Sequence, residues 1–232
     1  MISERADWVK LLWIKMNKRF DFDKKLNKNF DYLIGTDEAG RGPGAGPVFA
    51  AAVCFNNLDL KLKKQLENLN DSKQLTEKAR EELYEIIINN SVYSVVQGSV
   101  EDIEKYNILR TSLMCMNKAC LNVIKELKSE NVIVLVDGNK KISQFQYAQQ
   151  TVVKGDAKSA SIAAASIVAK VNRDRFMKKL DKDFPQYCWA DNKGYMTQAH
   201  LDAVDKYGLT KWHRKKFFEK HFDKSEQLVL FK

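Results

Sequence analysis

Val132-Ile133-Val134-Leu135-Val136, closed by Asp137-Gly138, is the stretch whose reading decides the fold. It is short for a helix and has no polar face. Bounded by a turn signal, it reads as a strand buried on both sides, the kind found where helices cover a sheet on both faces. Before it, Leu109, Leu113, Met116, Cys120, Val123 and Leu127 keep helical spacing, so a helix is expected from about Ile103 to Leu127. After it come a weaker strand at Thr151–Val153 and a long helix from about Lys158 to Leu180. Nearer the start, Tyr32–Thr36 and Val48–Phe55 read as strands joined by a Gly/Pro-rich turn, hence an antiparallel pair. Thr76 caps a helix that reaches about Ile88, with Glu77 in its first turn. Val92–Gln97 is a third strand. Strands first, then helices alternating with strands, imply an α/β fold: a mixed sheet covered by helices. The expected divisions are an N-terminal, helical extension (1–30), the core (31–185), a helical C-terminal part (186–224) and a flexible tail (225–232).

Composition narrows the function. The chain has 232 residues, 44% of them hydrophobic, enough for one sizeable core. Lys plus Arg number 39 against 30 Asp plus Glu, a net charge of +9. That balance suits a polyanionic partner, nucleic acid being the commonest, although a lysine-rich proteome gives the same number. Cys54, Cys115, Cys120 and Cys188 form no C-x-x-C pair and read as reduced thiols of a cytoplasmic protein. His200, His213 and His221 lack zinc spacing. No apolar run is long enough to cross a membrane. Trp8–Met16 is apolar but broken by Lys10 and Lys15, and reads as an amphipathic helix.

Three places carry carboxylates where strand or helix logic expects apolar residues. Asp137 ends the buried run, at the edge where α/β sheets keep their sites; it also suits a turn with Gly138. Asp37 and Glu38 end the first strand. Adjacent strand residues face opposite ways, so both reach one site only if the chain bends, and Ala39-Gly40 permits a bend. On the long helix, Ala160, Ala164, Ile167, Val171 and Asp174 follow at spacings of four, three, four and three, one helical face. Asp174 continues that core stripe, which favours a functional role over a surface pair with Lys178. Asp156 reads as a helix-start residue. Carboxylates converging on one rim need divalent cations, and oxygen-only donors suit Mg²⁺ or Mn²⁺. Two such ions about 4 Å apart can clamp the attacking and leaving oxygens of a phosphodiester displacement.

Gly40-Arg41-Gly42-Pro43-Gly44-Ala45 formally fits the dinucleotide fingerprint G-x-G-x-x-G/A. That fingerprint must open a helix, and here Pro47 and the strand-like Val48–Val53 follow, which argues against a nicotinamide site. A glycine loop also brings backbone groups close to a sugar or phosphate.

Thr36-Asp37-Glu38-Ala39-Gly40-Arg41-Gly42-Pro43 resembles the signature of ribonuclease HII, the type 2 ribonuclease H. Asp71-Ser72-Lys73-Gln74-Leu75, Val136-Asp137-Gly138, Lys154–Ser159, Ser161–Ile167, Ala169–Asp174, Gly194-Tyr195, His200 and His213-Arg214 continue the resemblance in order, from about Tyr32 to Phe218. It implies an RNase H-like fold: a five-stranded mixed sheet with helices on both faces and a C-terminal helical, substrate-binding part. It implies a monomeric endonuclease that uses Mg²⁺ or Mn²⁺ to hydrolyse the RNA strand of RNA–DNA hybrids, leaving 3′-hydroxyl and 5′-phosphate ends. It also implies nicking 5′ to single ribonucleotides embedded in duplex DNA, the start of ribonucleotide excision repair. The metal-binding catalytic carboxylates are expected at Asp37, Glu38, Asp137 and Asp174. Gly40, Arg41 and Gly42 are expected to read the 2′-hydroxyl, and Tyr195 the RNA–DNA junction. Lys73, Lys158, Ser159 and Ser161 are expected to contact phosphate or neighbour the metal site. The basic stretch Lys211, Arg214, Lys215, Lys216 and Lys220 is expected to help hold the duplex. Alternatives are a ribonuclease HIII-like enzyme, which carries an added N-terminal platform where only about 30 residues precede this core, and a catalytically silent hybrid-binding module.

At the end of the chain, Gln227-Leu228-Val229-Leu230-Phe231 resembles the pentapeptide by which bacterial replication and repair proteins bind the sliding clamp. Leu230 and Phe231 would fill an apolar pocket, Leu228 would add a contact and Gln227 would bond at the rim, on a leash of Asp223–Glu226. The same residues also suit a short edge strand or a tail packed on its own domain.

Overall fold

Val132–Val136 lies, as its composition demands, inside a sheet. The computed structural model describes residues 18–69, 72 and 74–230, with side chains as far as Asp223. Among these, five strands form one mixed sheet: β1 (Tyr32–Ala39), β2 (Val48–Phe55), β3 (Ser91–Gly98), β4 (Val132–Asp137) and β5 (Ala148–Val152), in the order β3-β2-β1-β4-β5. β1 pairs antiparallel with β2 and parallel with β4. The helices are α1 (described over 18–26), α2 (Leu60–Gln65), α3 (Glu77–Asn89), α4 (Val100–Tyr106), α5 (Ile108–Leu127), α6 (Ala160–Asp181), α7 (Trp189–Asn192), α8 (Gln198–Tyr207) and α9 (Lys215–Leu230).

Both faces of the sheet are covered. On one, α6 and α3 bury Ala51, Val53, Leu83, Ile87, Ala164 and Ile167. On the other, α5 sets Met116, Cys120 and Val123 against Ile34, Ala52 and Val134. Each fully buried aliphatic side chain of this kind contributes roughly 1.5–3 kcal/mol before entropy is counted. The alanine-rich start of α6 comes so close to β1 that a Cβ on Gly35 would meet the backbone of Ser161 at 2.2 Å. A third cluster, Met177, Tyr187, Trp189, Val204 and Phe218, joins the end of α6 to the C-terminal helices and takes in Ala45 of the glycine loop. Among the described residues no helix is long and apolar enough to cross a membrane.

Several elements differ from expectation. The helix expected from Ile103 to Leu127 is two. Asn107 takes φ 68°, ending α4, while its side chain accepts from the amide of Arg110 and caps α5. β5 is mostly polar (Ala-Gln-Gln-Thr-Val) because it is the sheet's edge, which explains its weak signal. β1 continues past Thr36 through Asp37 and Glu38, still paired with β2, and the bend comes at Gly40 (φ 100°). α9 runs on to Leu230, into the stretch expected as a flexible tail. The amphipathic segment Trp8–Met16, Lys73 and Phe231 lie outside the described residues, as do the side chains of Gln227, Leu228 and Leu230.

Candidate active site

Parallel pairing of Thr36 with Val136 sets the next residues, Asp37 and Asp137, side by side at the carboxyl ends of two central strands. Asp37 is 6% exposed, and its Oδ1 accepts from the amide of Glu38. Burial, then the charges of Glu38 and Asp137, hold its carboxyl well above the ordinary value, with a Ser166 hydrogen bond opposing. Asp137 Oδ1 accepts from the amide of Gly155 at 2.7 Å. A side chain on Gly155 would collide with Ile162, so glycine lets this turn close on Asp137. The next residue is Asp156, in the 3-10 turn Gly155–Ala157 between β5 and α6.

Asp37, Glu38, Asp137 and Asp156 line one cavity of about 600 Å³. Gly40, Arg41, Gly42, Ser72, Ser166, Lys170, Arg173 and Tyr195 share its walls. Tyr195 is 46% exposed and faces Gly42 across it; a Cβ on Gly42 would sit 3.4 Å from the ring. Arg41 pairs with Glu38 at 3.1 Å.

Asp174 is elsewhere. It is buried, as its stripe requires, but does not line the cavity. The face of α6 that does is Ser166, Lys170 and Arg173. Asp174 is one residue past Arg173, about 100° further round the helix, and its carboxylate meets Lys170 at 2.7 Å and Arg80 of α3 at 3.8 Å. Arg80 in turn donates to the carbonyls of Ser72 and Leu75, so Asp174 helps hold Ser72, which lines the cavity, from behind. The expected substrate contacts Ser159 and Ser161 also point away. Ser159 is the buried N-cap of α6, and the buried Ser161 gives its amide to Asp23. The first turn of a helix packed this tightly on β1 has no open side. Lys158 is exposed beside the same turn but is not among the cavity's lining residues.

Oxygen-only donors crowded at a strand edge, with Asp37 pushed toward its protonated form, are the chemistry of a hard divalent cation site. Comparison with known proteins decides what kind. The family model for ribonuclease HII matches residues 34–224. The chain belongs to the ribonuclease HII family. It is 49% identical to ribonuclease HII of Fusobacterium nucleatum over 84% of this chain and 89% of that protein. The enzyme of Pelagibacter ubique is also 49% identical, over 80% of this chain and 95% of that one. Among solved structures, the ribonuclease HII of a PCNA complex from Archaeoglobus fulgidus is 27% identical with a TM-score of 0.64, over 79% of this chain and 93% of that chain. Aquifex aeolicus RNase H3, 19% identical with a TM-score of 0.65 over 87% of this chain and 78% of that chain, shares the fold. As a ribonuclease HII, the chain is a divalent-metal-dependent endoribonuclease of the ribonuclease H class, acting on RNA–DNA hybrids.

Two residues at the glycine loop escape a reading of isolated motifs, because their partners are distant backbone. Arg214 is fully buried. Its guanidinium donates to the carbonyls of Gly40, Arg41, Pro43 and Gly46 at 2.7–3.3 Å. Arg173 reaches the carbonyls of Ala45 and Pro47. Burial pulls Arg173 down to about 10 and Arg214 to about 9, yet both stay charged at neutral pH. The glycine loop is thus gripped by its carbonyls from behind. Arg214 accordingly has no free face for a duplex, unlike the exposed Lys211, Lys215 and Lys220 of the same basic stretch. Tyr195 is held similarly. His200 Nδ1 donates to its carbonyl, while His200 Nε2 accepts from the Trp189 indole and meets His213 Nε2 at 3.1 Å. His213 Nδ1 accepts from the Thr210 amide, so the shared proton sits on His213 Nε2. Burial holds both imidazoles below their ordinary value, His213 at about 4.

Proposed function

We propose that this enzyme hydrolyses the RNA strand of RNA–DNA hybrids and nicks 5′ to single ribonucleotides embedded in duplex DNA, with Asp37, Glu38, Asp137 and Asp156 as its metal-binding carboxylates. The observation that carries the reading is their convergence on one cavity, faced by the glycine loop and Tyr195. Asp156 takes the place expected for Asp174, whose charge is already offset by Lys170 and Arg80.

Among the described residues no three of these side chains stand close enough to enclose an ion alone. Mg²⁺ and Mn²⁺ can be held by one or two carboxylates, the rest of their shell coming from phosphate and water. Two such ions, when bound, would activate the attacking water and stabilise the leaving 3′-oxygen. The chain's own residues do the rest. Asp37, buried among like charges, keeps the rim avid for cations. Gly40 and Gly42 let backbone approach the ribose, where the 2′-hydroxyl separates RNA from DNA. Tyr195 offers its exposed ring and hydroxyl to the sugar at the junction. Lys170 and Arg173 supply positive charge along one wall.

Mapping cuts on a duplex with one ribonucleotide and on one with an RNA run, in Mg²⁺ and in Mn²⁺, tests this. Nicking 5′ to the lone ribonucleotide is expected, with 3′-hydroxyl and 5′-phosphate ends. Tyr195→Ala should lower that nicking by about tenfold, the scale of one lost hydrogen bond and sugar contact, with duplex affinity little changed. Equal loss in both would reduce Tyr195 to a general contact.

For the tail, the proposed partner is a sliding clamp, held by Gln227, Leu228, Leu230 and Phe231. The archaeal relative's structure as a PCNA:RNase HII complex supports it. Deleting Gln227–Lys232 should abolish clamp binding and leave cleavage of short duplexes intact. A full-length chain without clamp affinity overturns the assignment.

A further inference from the structure

Helix α1 lies before the span matched by the family model, which begins at residue 34, yet it reaches the active-site rim. Phe22 and Leu26 pack on Leu33, Ile133 and Leu135 beneath β1 and β4. Asp23 is buried and accepts from the amide of Ser161, bonding α1 to the N-terminus of α6. About one turn before these anchors, Arg19 extends its guanidinium to two backbone carbonyls far away in sequence. Nε donates to Asp156 O at 3.1 Å and Nη1 to Leu69 O at 2.9 Å.

The first of these bonds touches the site through one peptide group. The carbonyl held by Arg19 belongs to the peptide joining Asp156 to Ala157, and the N–H of that peptide donates to Asp156 Oδ1 at 2.8 Å. A cation on the oxygen polarises the N–H on the other side, and a polarised donor grips a carboxylate more firmly. Arg19 therefore acts on the direction of the Asp156 carboxylate without entering the cavity. The second bond holds the carbonyl of Leu69, on the same side of the site as Ser72, which bonds Ser166 at 3.0 Å; Ser166 in turn steadies Asp37.

We propose that Arg19 is a positioning residue for the metal site, and that through it α1 fixes the Asp156 turn relative to Leu69. This rests on the reading of Asp156 as a metal-binding carboxylate. Only an arginine fork meets two diverging carbonyls at once, whereas lysine offers a point charge. Arg19 is partly exposed, and α1 keeps its apolar anchors without it, so substitution should spare the fold.

The test titrates Mn²⁺ alone into the full-length protein, followed by the electron paramagnetic resonance of free Mn²⁺, with thermal melting alongside. Variants are Arg19→Met, Arg19→Lys, Asp156→Asn and the Arg19→Met/Asp156→Asn pair. Arg19→Met is expected to weaken Mn²⁺ binding roughly tenfold, the lower end for partners that orient a metal ligand, with Arg19→Lys in between and melting near that of the parent. In the double variant, Arg19→Met should add nothing to Asp156→Asn, because the arginine acts through that carboxylate. Unchanged Mn²⁺ affinity in Arg19→Met, or full additivity with Asp156→Asn, overturns the proposal. Loss of fold in both Arg19 variants overturns it too, by making α1 a matter of stability. If Asp156→Asn itself binds Mn²⁺ normally, the reading of Asp156 fails, and the positioning role of Arg19 falls with it; if Asp156→Asn loses Mn²⁺ while Arg19→Met does not, only the role of Arg19 fails.

Discussion

Asp37 and Asp174 are buried to the same extent, each 6% exposed, on elements that pack against each other. Their surroundings are opposite. Asp37 sits at a strand end with Glu38 and Asp137 as neighbours, so ionising it costs burial and like-charge repulsion together. Asp174 sits two turns of α6 beyond the cavity-facing Ser166, between Lys170 and Arg80, where a fixed negative charge is needed. Burial therefore says only that a carboxylate matters. The sign of what surrounds it says whether its charge is opposed or already offset. Lys170 carries the same lesson from the other side: burial pulls its ammonium below the ordinary value even though Asp174 opposes the shift.

The contrast breaks most sharply in catalysis. Asp156→Asn and Asp137→Asn should each lower turnover by roughly 10³-fold, since metal stabilisation of several kcal/mol is worth tenfold per 1.36 kcal/mol. Asp174→Asn should retain most turnover once allowance is made for its fold. Single-turnover cleavage at saturating Mn²⁺ measures all three, and a dead Asp174→Asn that is fully folded would restore that residue to the site.

In stability the order should reverse. Asp174→Asn leaves Lys170 and Arg80 partly buried without their counter-charge, a loss of about 3 kcal/mol by the usual cost of breaking such a pair. Denaturant unfolding should show it as a lower midpoint at unchanged slope. No loss would mean that water or another group compensates those cations.

The smallest effect separates Asp37 by pH. Its folded-state carboxyl titrates above its ordinary value of 3.8, so in metal-free buffer it favours folding while protonated and loses that contribution as pH rises through the folded value. Asp37→Asn should therefore be more stable than the parent at neutral pH, by about 1 kcal/mol or less on the scale of relieved repulsion, with the advantage shrinking in acid. An advantage that grows in acid contradicts the crowding of like charges. The histidine pair behind Tyr195 runs the other way. His213, held near 4, supports the fold when neutral, and that support is lost as pH falls from its ordinary value toward 4. A stability-versus-pH profile of His213→Asn should flatten in that window.

Much of this was legible from residues alone. Val132–Val136 announces a strand covered on both faces, because no polar side chain interrupts it and it is short. Asp37, Glu38 and Asp137 stand out because each ends an apolar run, and strand ends in such sheets open onto sites. The resemblance to ribonuclease HII gathered the motifs in order. Asp174 shows the limit. Periodicity places a residue on a buried face, and Asp174 is on one, but periodicity does not say which neighbour waits there. Only the packing of α3 against α6 brings Arg80 to it. Asp156 looked like a helix start, and its turn does lead into α6; what makes it a rim residue is that Gly155 closes onto Asp137 across the sheet edge. Arg214 and Arg19 act on carbonyls some 170 and 137 residues away. A carbonyl has the same chemistry at every position, so no sequence pattern marks which one a guanidinium will hold. The sequence by itself determined the sheet, its two covering layers and the carboxylate-bearing strand ends, because these follow from local alternation and apolar runs. The tertiary structure decided which carboxylates share the cavity and what holds them in place, because that depends on the charges and backbone groups that other elements bring within about 3 Å, the range of a hydrogen bond.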